Sequence, residues 1–370
     1  MKTIYYVANY RMPTERAHGL QVAMMCDALA ACGWDVTLVV PRRGRRSSDI
    51  FSYYNLRHRF RVVYLPVLDL TGKVPVIGFW LQSTTFAMLA MLFIMKQRYR
   101  GTIYSRDQFT LFLMSFLLRN KLIYEMHTMP GVIRGVHRHL FRKLQCIVAI
   151  SEGLKRELIA AGCSSDSLVV SPDAFDAAQL SEAEDGAIEL RSRLLIAKDD
   201  TLVLYAGSLM PWKGVDTLVR AVELLPHSYN ICVLGGSESD RERLRMLVSS
   251  HTSSQVHFLR AIPHGEIGAY LREADILVIP NSGRDAAASR YTSPMKFYEY
   301  LASGKPVVAS DVPALHEVGD VFQGVYYFQA DDPSALAVAL QRARKGERLY
   351  RREMTNHTWD ARAQFLSRYL

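Results

Sequence analysis

Short apolar runs rich in Val, Ile, Leu and Tyr recur along this chain and alternate with helix-length amphipathic stretches. That alternation predicts an α/β protein in which parallel sheets are covered by helices. In the first half the strands read Thr3–Ala8, Val36–Val40, Val62–Leu65, Thr102–Tyr104, Leu122–Tyr124, Ile147–Ile150 and Leu168–Val170. Helices fit between them, for example Leu20–Cys32 with Gly33 as its stop residue. The pattern restarts at Thr201–Ala206 and continues through Asn230–Leu234, Val256–Phe258, Ile276–Ile279, Pro306–Ala309 and Val325–Phe328.

Between the two runs lies the acidic, polar stretch Asp173–Asp200, which reads as an interdomain connection. A chain of 370 residues also exceeds what one hydrophobic core usually supports. Two doubly wound domains are therefore expected, with boundaries at 1–175 and 176–348 and a helical segment over 349–370. Such domains bind ligands beyond the carboxyl ends of their strands. The loop after the first strand holds a single glycine, Gly19, and no G-x-G-x-x-G occurs anywhere, which argues against a nicotinamide enzyme. No D-x-D triplet is present either, so no divalent metal and no cofactor are expected.

Charge changes this picture in one respect. The net charge is +9, and all of the excess lies in the first half, with clusters at Arg42–Arg46, Arg57–Arg61 and Arg134–Lys143. Such a face attracts phosphate on an anionic membrane surface or on nucleic acid, and no nucleic-acid motif accompanies it. Nucleic acid is accordingly not an expected partner. Five scattered cysteines, and a first strand that begins at the amino terminus, predict reduced thiols and a cytoplasmic location. The uncharged stretch Val74–Met95 is long enough to span a bilayer, but Pro75, Gly78, Gln82, Ser83, Thr84 and Thr85 dilute its first half. It reads as a buried domain helix, with an interfacial docking helix as the alternative.

Two stretches carry the chemistry. In Tyr205–Gly214 (YAGSLMPWKG) an apolar strand ends at Gly207 and turns through a loop carrying Lys213. In Ser293–Ser310 (SPMKFYEYLASGKPVVAS) Glu299 lies on a helix followed by Gly304 and another strand. A lysine and a glutamate at two strand ends suit a ligand with a diphosphate at one end and a ribose at the other. Both stretches closely resemble the donor-site motifs of family-four glycosyltransferases, a retaining family with the GT-B fold. The resemblance implies two Rossmann-like domains facing across a cleft, with segment 349–370 packing back onto the first.

It also implies roles. Lys213 binds the donor diphosphate, and a cation at that helix start opposes the macrodipole unless an anion is present. Glu299 holds the ribose hydroxyls, and Gly207, Ser293, Pro294 and Met295 line the phosphates. His127, in LIYEMH, contacts the donor sugar, and Gly19 stands at the acceptor-side loop. Lys213, Glu299 and His127 are the expected catalytic residues. Two positions depart from the family pattern: Ser208 stands where an arginine is usual, and Tyr291 where a first glutamate is usual. Arg284 or Arg290, in the loop before the Glu299 helix, is expected to supply the lost charge.

The expected activity is transfer of a hexose-type sugar from a UDP- or GDP-sugar to a saccharide or lipid-linked acceptor. The setting is surface polysaccharide or glycolipid synthesis, including lipopolysaccharide, at the cytoplasmic membrane face. A sugar-nucleotide epimerase of related fold and a non-catalytic basic binding module are the alternatives. An epimerase needs no acceptor, and a binding module would ignore UDP and GDP.

Overall fold

The computed structural model describes residues 2–43, 49–97, 101–117, 120–130, 133, 135–178, 189–285, 289–290, 294–346 and 351–370. The chain forms two compact units, Met1–Pro172 with Trp359–Leu370, and Asp173–Thr358.

The N-terminal unit holds seven parallel strands: β1 Thr3–Val7, β2 Asp35–Arg42, β3 Arg61–Pro66, β4 Thr102–Ser105, β5 Lys121–Met126, β6 Cys146–Ala149 and β7 Leu168–Val170. Their order is β3-β2-β1-β4-β5-β6-β7. The C-terminal unit holds six: β8 Thr201–Ala206, β9 Tyr229–Leu234, β10 Val256–Leu259, β11 Ile276–Ile279, β12 Val307–Ser310 and β13 Val325–Phe328. These run β10-β9-β8-β11-β12-β13, again all parallel. In each sheet the order reverses once, at β1/β4 and at β8/β11. Ligands of open α/β sheets sit outside the carboxyl ends of strands at such reversals. Central strands buried on both faces need continuous apolar runs, which is why Ile4–Val7 and Leu202–Ala206 carry almost no polar residue.

The domain boundaries differ from those read in the sequence. Phe175 belongs to the second core, alongside Leu204, Phe297 and Met354. Its amide donates to the His357 carbonyl at 3.1 Å. Residues up to 358 therefore stay with the C-terminal unit, and only the segment from Trp359 returns to the first. The Trp359–Leu366 helix packs on the Ala17–Ala31 helix, burying Trp359, Ala363 and Leu366, and Trp34 Nε1 donates to Ser367 Oγ at 2.9 Å.

The stretch expected to be a buried core helix forms the helix Pro75–Lys96, and it is long and apolar enough to cross a membrane. Its orientation inverts the expectation. The polar Gln82 and Ser83 are buried, holding Asn9 through Gln82 Nε2 to Asn9 Oδ1 at 2.7 Å and Asn9 Nδ2 to Ser83 Oγ at 3.2 Å. Val76, Ile77, Phe79 and Trp80 are instead more than half exposed. Only Phe86, Ala87, Ala90 and Ile94 anchor the helix in the core.

Candidate active site

At the carboxyl end of β8 the backbone turns at Gly207, with φ of 148°. A Cβ there would lie 2.4 Å from Lys296 Nζ, so the missing side chain leaves room for that ammonium. The loop continues through the exposed Ser208 to the turn Pro211–Lys213 and closes at Gly214, φ 62°, where a Cβ would strike the Pro280 carbonyl. Pro280 and Asn281 follow β11, and Ser282 donates its amide to the Trp212 carbonyl at 3.0 Å. The reversal between β8 and β11 is thereby tied directly to the lysine loop.

Lys213 is buried, with Nζ 3.7 Å above the Trp212 ring. Burial, reinforced by the positive charge of Lys296, holds its ammonium well below the ordinary lysine range. Lys296 lies on the helix Met295–Ala302, one turn before Glu299, and both project from the same face. Its Nζ donates to Tyr205 Oη at 3.0 Å. Tyr205 in turn donates to the Ser208 carbonyl at 2.6 Å, fixing the loop. Burial pulls Lys296 down to about 7, against the opposing influence of Glu299. Glu299 is buried, and its Oε1 lies 3.3 Å from His264 Nε2. Asn281, wholly buried, finds no hydrogen-bond partner for either side-chain atom among the described residues. The structure thus brings Lys213, Lys296 and Glu299 to one end of one sheet, where Lys296 lowers Lys213 and Glu299 in turn raises Lys296.

In the N-terminal unit His127 follows β5, and its Nε2 lies 2.7 Å from Glu125 Oε1. Glu125 is buried; Arg362 Nη2 reaches its Oε2 at 3.1 Å, Arg106 Nε stands 3.9 Å from Oε1, and Tyr104 Oη donates to it. Burial alone would raise this carboxyl, yet Arg362, His127 and Arg106 together hold it well below the usual range. Burial, with Arg106, pushes His127 down to about 4 although Glu125 opposes this. The imidazole is therefore neutral at pH 7 with Nε2–H donating to the carboxylate, which leaves Nδ1 as an acceptor. Arg362 comes from the returning helix, and it also donates to the carbonyls of Pro172 (2.7 Å) and Ser171 (3.1 Å).

Other expected residues fall as follows. Gly19 is in the first turn of the Ala17–Ala31 helix rather than at the end of the loop, because the helix starts earlier than its apolar pattern. A Cβ on it would clash with Thr14 and with Tyr54 Oη, so its smallness serves close packing. Pro294 precedes the Met295–Ala302 helix as its N-cap, and Met295 opens it. Tyr291 and Ser293 lie outside the described residues. The charge expected from Arg284 is not at the lysines: its guanidinium is exposed and stands 3.7 Å from Asp331. Arg290 is exposed as well. Tyr205, Lys296, His264, Arg106 and Arg362 were not singled out in the sequence. For Lys296 a signal existed, since it lies three residues before Glu299; for Arg362 nothing local pointed to the site.

Known proteins resemble this chain in sequence and in fold. Residues 200–345 match the family described as Glycosyl transferases group 1. The D-inositol 3-phosphate glycosyltransferase of Xylanimonas cellulosilytica is 30% identical over 133 residues, covering 35% of this chain and 30% of that one. The putative teichuronic acid biosynthesis glycosyltransferase TuaC of Bacillus subtilis is 22% identical over 99% of this chain and 95% of its own. Matches to the first curated relatives thus span from under a third to half of their length, whereas that to TuaC runs almost throughout. Among solved structures, sucrose-phosphate synthase from Thermosynechococcus elongatus superposes with a TM-score of 0.78 at 18% identity, covering 100% of this chain and 98% of that one. Anabaena HepE, solved in complex with UDP and glucose, gives 0.70 at 16% identity over 99% and 95%. Two parallel sheets of this order, with whole-chain superposition on such structures, give the chain the GT-B fold, and its residues 200–345 are those of the group 1 glycosyltransferases.

Proposed function

We propose that this chain transfers a hexose-type sugar, with retention of configuration, from a UDP- or GDP-linked donor to a saccharide or lipid-linked acceptor in surface polysaccharide or glycolipid synthesis. The observation that carries this reading is the buried Lys213 amine, which no carboxylate contacts among the described residues and on which Lys296 acts, with the buried Glu299 one helical turn beyond Lys296. Breaking a sugar–phosphate bond builds negative charge on the departing diphosphate, and a fixed cation in a desolvated site stabilises that charge most. A carboxylate accepts both protons of a vicinal diol, which suits Glu299 to a ribose. His127 Nδ1 offers an acceptor to a sugar hydroxyl. The teichuronic acid role named for TuaC and the UDP and glucose held by HepE support the polymer setting and the donor class. With protein cations meeting the diphosphate, this reading requires no divalent metal.

The acceptor, in this reading, is reached at an anionic membrane on the cytoplasmic side. Support comes from the inverted Pro75–Lys96 helix, which turns Val76, Ile77, Phe79 and Trp80 outward. Exposed Arg138, Arg142 and Lys143 lie on the Gly135–Lys143 helix, linked to that face through Phe116 stacked on His139 and Phe109 against Trp80. Apolar side chains beside basic ones are what an interfacial element presents to anionic lipid.

One assay tests the function: release of UDP or GDP from a panel of sugar nucleotides, with and without a lipid-extract acceptor and with EDTA. Acceptor-dependent release that EDTA leaves unchanged is expected, and acceptor-independent conversion of the donor would favour the epimerase reading. In flotation with vesicles, binding is expected to rise with anionic lipid, fall with salt and weaken in Ile77→Ser/Trp80→Ser. Flotation indifferent to all three would remove the membrane from the account.

A further inference from the structure

We infer that Lys296 binds the donor's diphosphate together with Lys213, as the second phosphate cation of this chain. The inference rests on the nucleotide-sugar reading above and adds to it a residue that the sequence motifs did not mark. Lys296 Nζ lies directly over the backbone at Gly207, hydrogen-bonded to Tyr205 Oη, in the space that a side chain at position 207 would occupy. Its charge acts on the Lys213 ammonium, and no carboxylate contacts either one among the described residues.

Charging two lysine amines, one buried and one half-buried, without an anion is costly, and a methionine would fill the same volume without that cost. Glu299 opposes the lowering of Lys296 only in part and makes no ion pair with it, its Oε1 lying 3.3 Å from His264 Nε2. The Tyr205 hydroxyl is already committed to the Ser208 carbonyl, so it anchors Lys296 without neutralising it. A further mark of an incomplete site is Asn281, wholly buried and unpartnered among the described residues, one residue before the amide that holds Trp212. A diphosphate carries the charge and the acceptor oxygens to satisfy paired ammoniums, and a nucleoside supplies polar groups for a buried amide. Lys296 also lies where it can replace the cation missing at Ser208, which the exposed Arg284 does not.

The test is calorimetric titration of the full chain with UDP and GDP, and with uridine and guanosine as probes lacking phosphate. Lys296→Met is expected to weaken the bound nucleoside diphosphate about 10- to 100-fold, the range for a lost charge-assisted hydrogen bond. Nucleoside affinity should stay the same. Lys296→Arg should keep most of the affinity, and Ser208→Arg added to Lys296→Met should regain part of it. Should the methionine variant fold poorly, Lys296→Arg serves alone, and loss of diphosphate affinity in a folded Lys296→Gln is the equivalent readout. Unchanged diphosphate affinity in Lys296→Met, or equal loss of diphosphate and nucleoside binding, would overturn the inference while leaving the donor reading intact. A wild-type chain that binds neither UDP nor GDP would overturn both.

Discussion

In the N-terminal unit a buried carboxylate, Glu125, meets Arg362, His127 and Tyr104 at hydrogen-bonding distance and Arg106 just beyond. In the C-terminal unit two ammoniums, Lys213 and Lys296, meet aromatic rings and a phenol but no carboxylate among the described residues. The first arrangement is internally compensated, so its charges stabilise geometry: they fix the tautomer of His127 and bind the returning helix to the end of β5. The second is uncompensated, so its charges are available to a ligand. Desolvation acts on both sites with the same sign, disfavouring charge. What differs is whether the protein or the substrate supplies the opposing ion.

That contrast makes mutations at the two sites fail differently. Arg362→Met should have the largest effect on folding, because it leaves Glu125 buried with a weaker counter-charge. Removing one partner of a buried pair costs about 3–5 kcal/mol, and a drop of several degrees in the melting of the N-terminal unit is the expected readout. A variant with unchanged melting would mean that the Glu125 network is not a structural clamp. Lys213→Met and Glu299→Gln should each reduce turnover at least about 100-fold, roughly 2.7 kcal/mol of barrier. Yet Lys213→Met should melt no lower than wild type, since it removes a buried amine that no carboxylate contacts in the free protein among the described residues. Loss of both activity and stability in Lys213→Met would erase the distinction drawn between the sites.

A smaller effect concerns pH. Lys296 is lowered to about 7 in the folded chain, against about 10.4 when unfolded. The unfolded chain then binds more protons between those values, so this lysine makes stability rise with pH from about 7 to about 10. Chemical denaturation of wild type and Lys296→Met across that range should show the wild type gaining relative to the variant. A flat difference would mean that Lys296 is not desolvated.

Much of the fold was legible in the sequence because buried parallel strands leave continuous apolar runs, and each predicted strand corresponds to one in the structure. Lys213 and Glu299 were legible for a related reason: each stands beside a glycine-marked strand end. Lys296 carried a weaker signal, its spacing three residues before Glu299, which was masked because it falls within a run of aromatic and apolar residues that reads simply as a buried helix. Arg362 was hidden by distance, since its partner Glu125 lies more than half the chain away. The Pro75–Lys96 helix misled for a third reason. Gln82 and Ser83 read as polar interruptions of an apolar face, whereas they are the inward face, satisfied by Asn9.

The central claim, that the C-terminal lysines await an anion, is tested most directly by counting protons on ligand binding. Titrating UDP or GDP into the wild-type chain at pH 8, in two buffers of different ionisation enthalpy, reports net proton exchange. Because Lys213 and Lys296 are depressed in the free protein, a bound diphosphate should restore their charge. Proton uptake from the buffer, diminished in Lys296→Met, is the predicted result. Binding with no proton uptake, or with proton release, would contradict it.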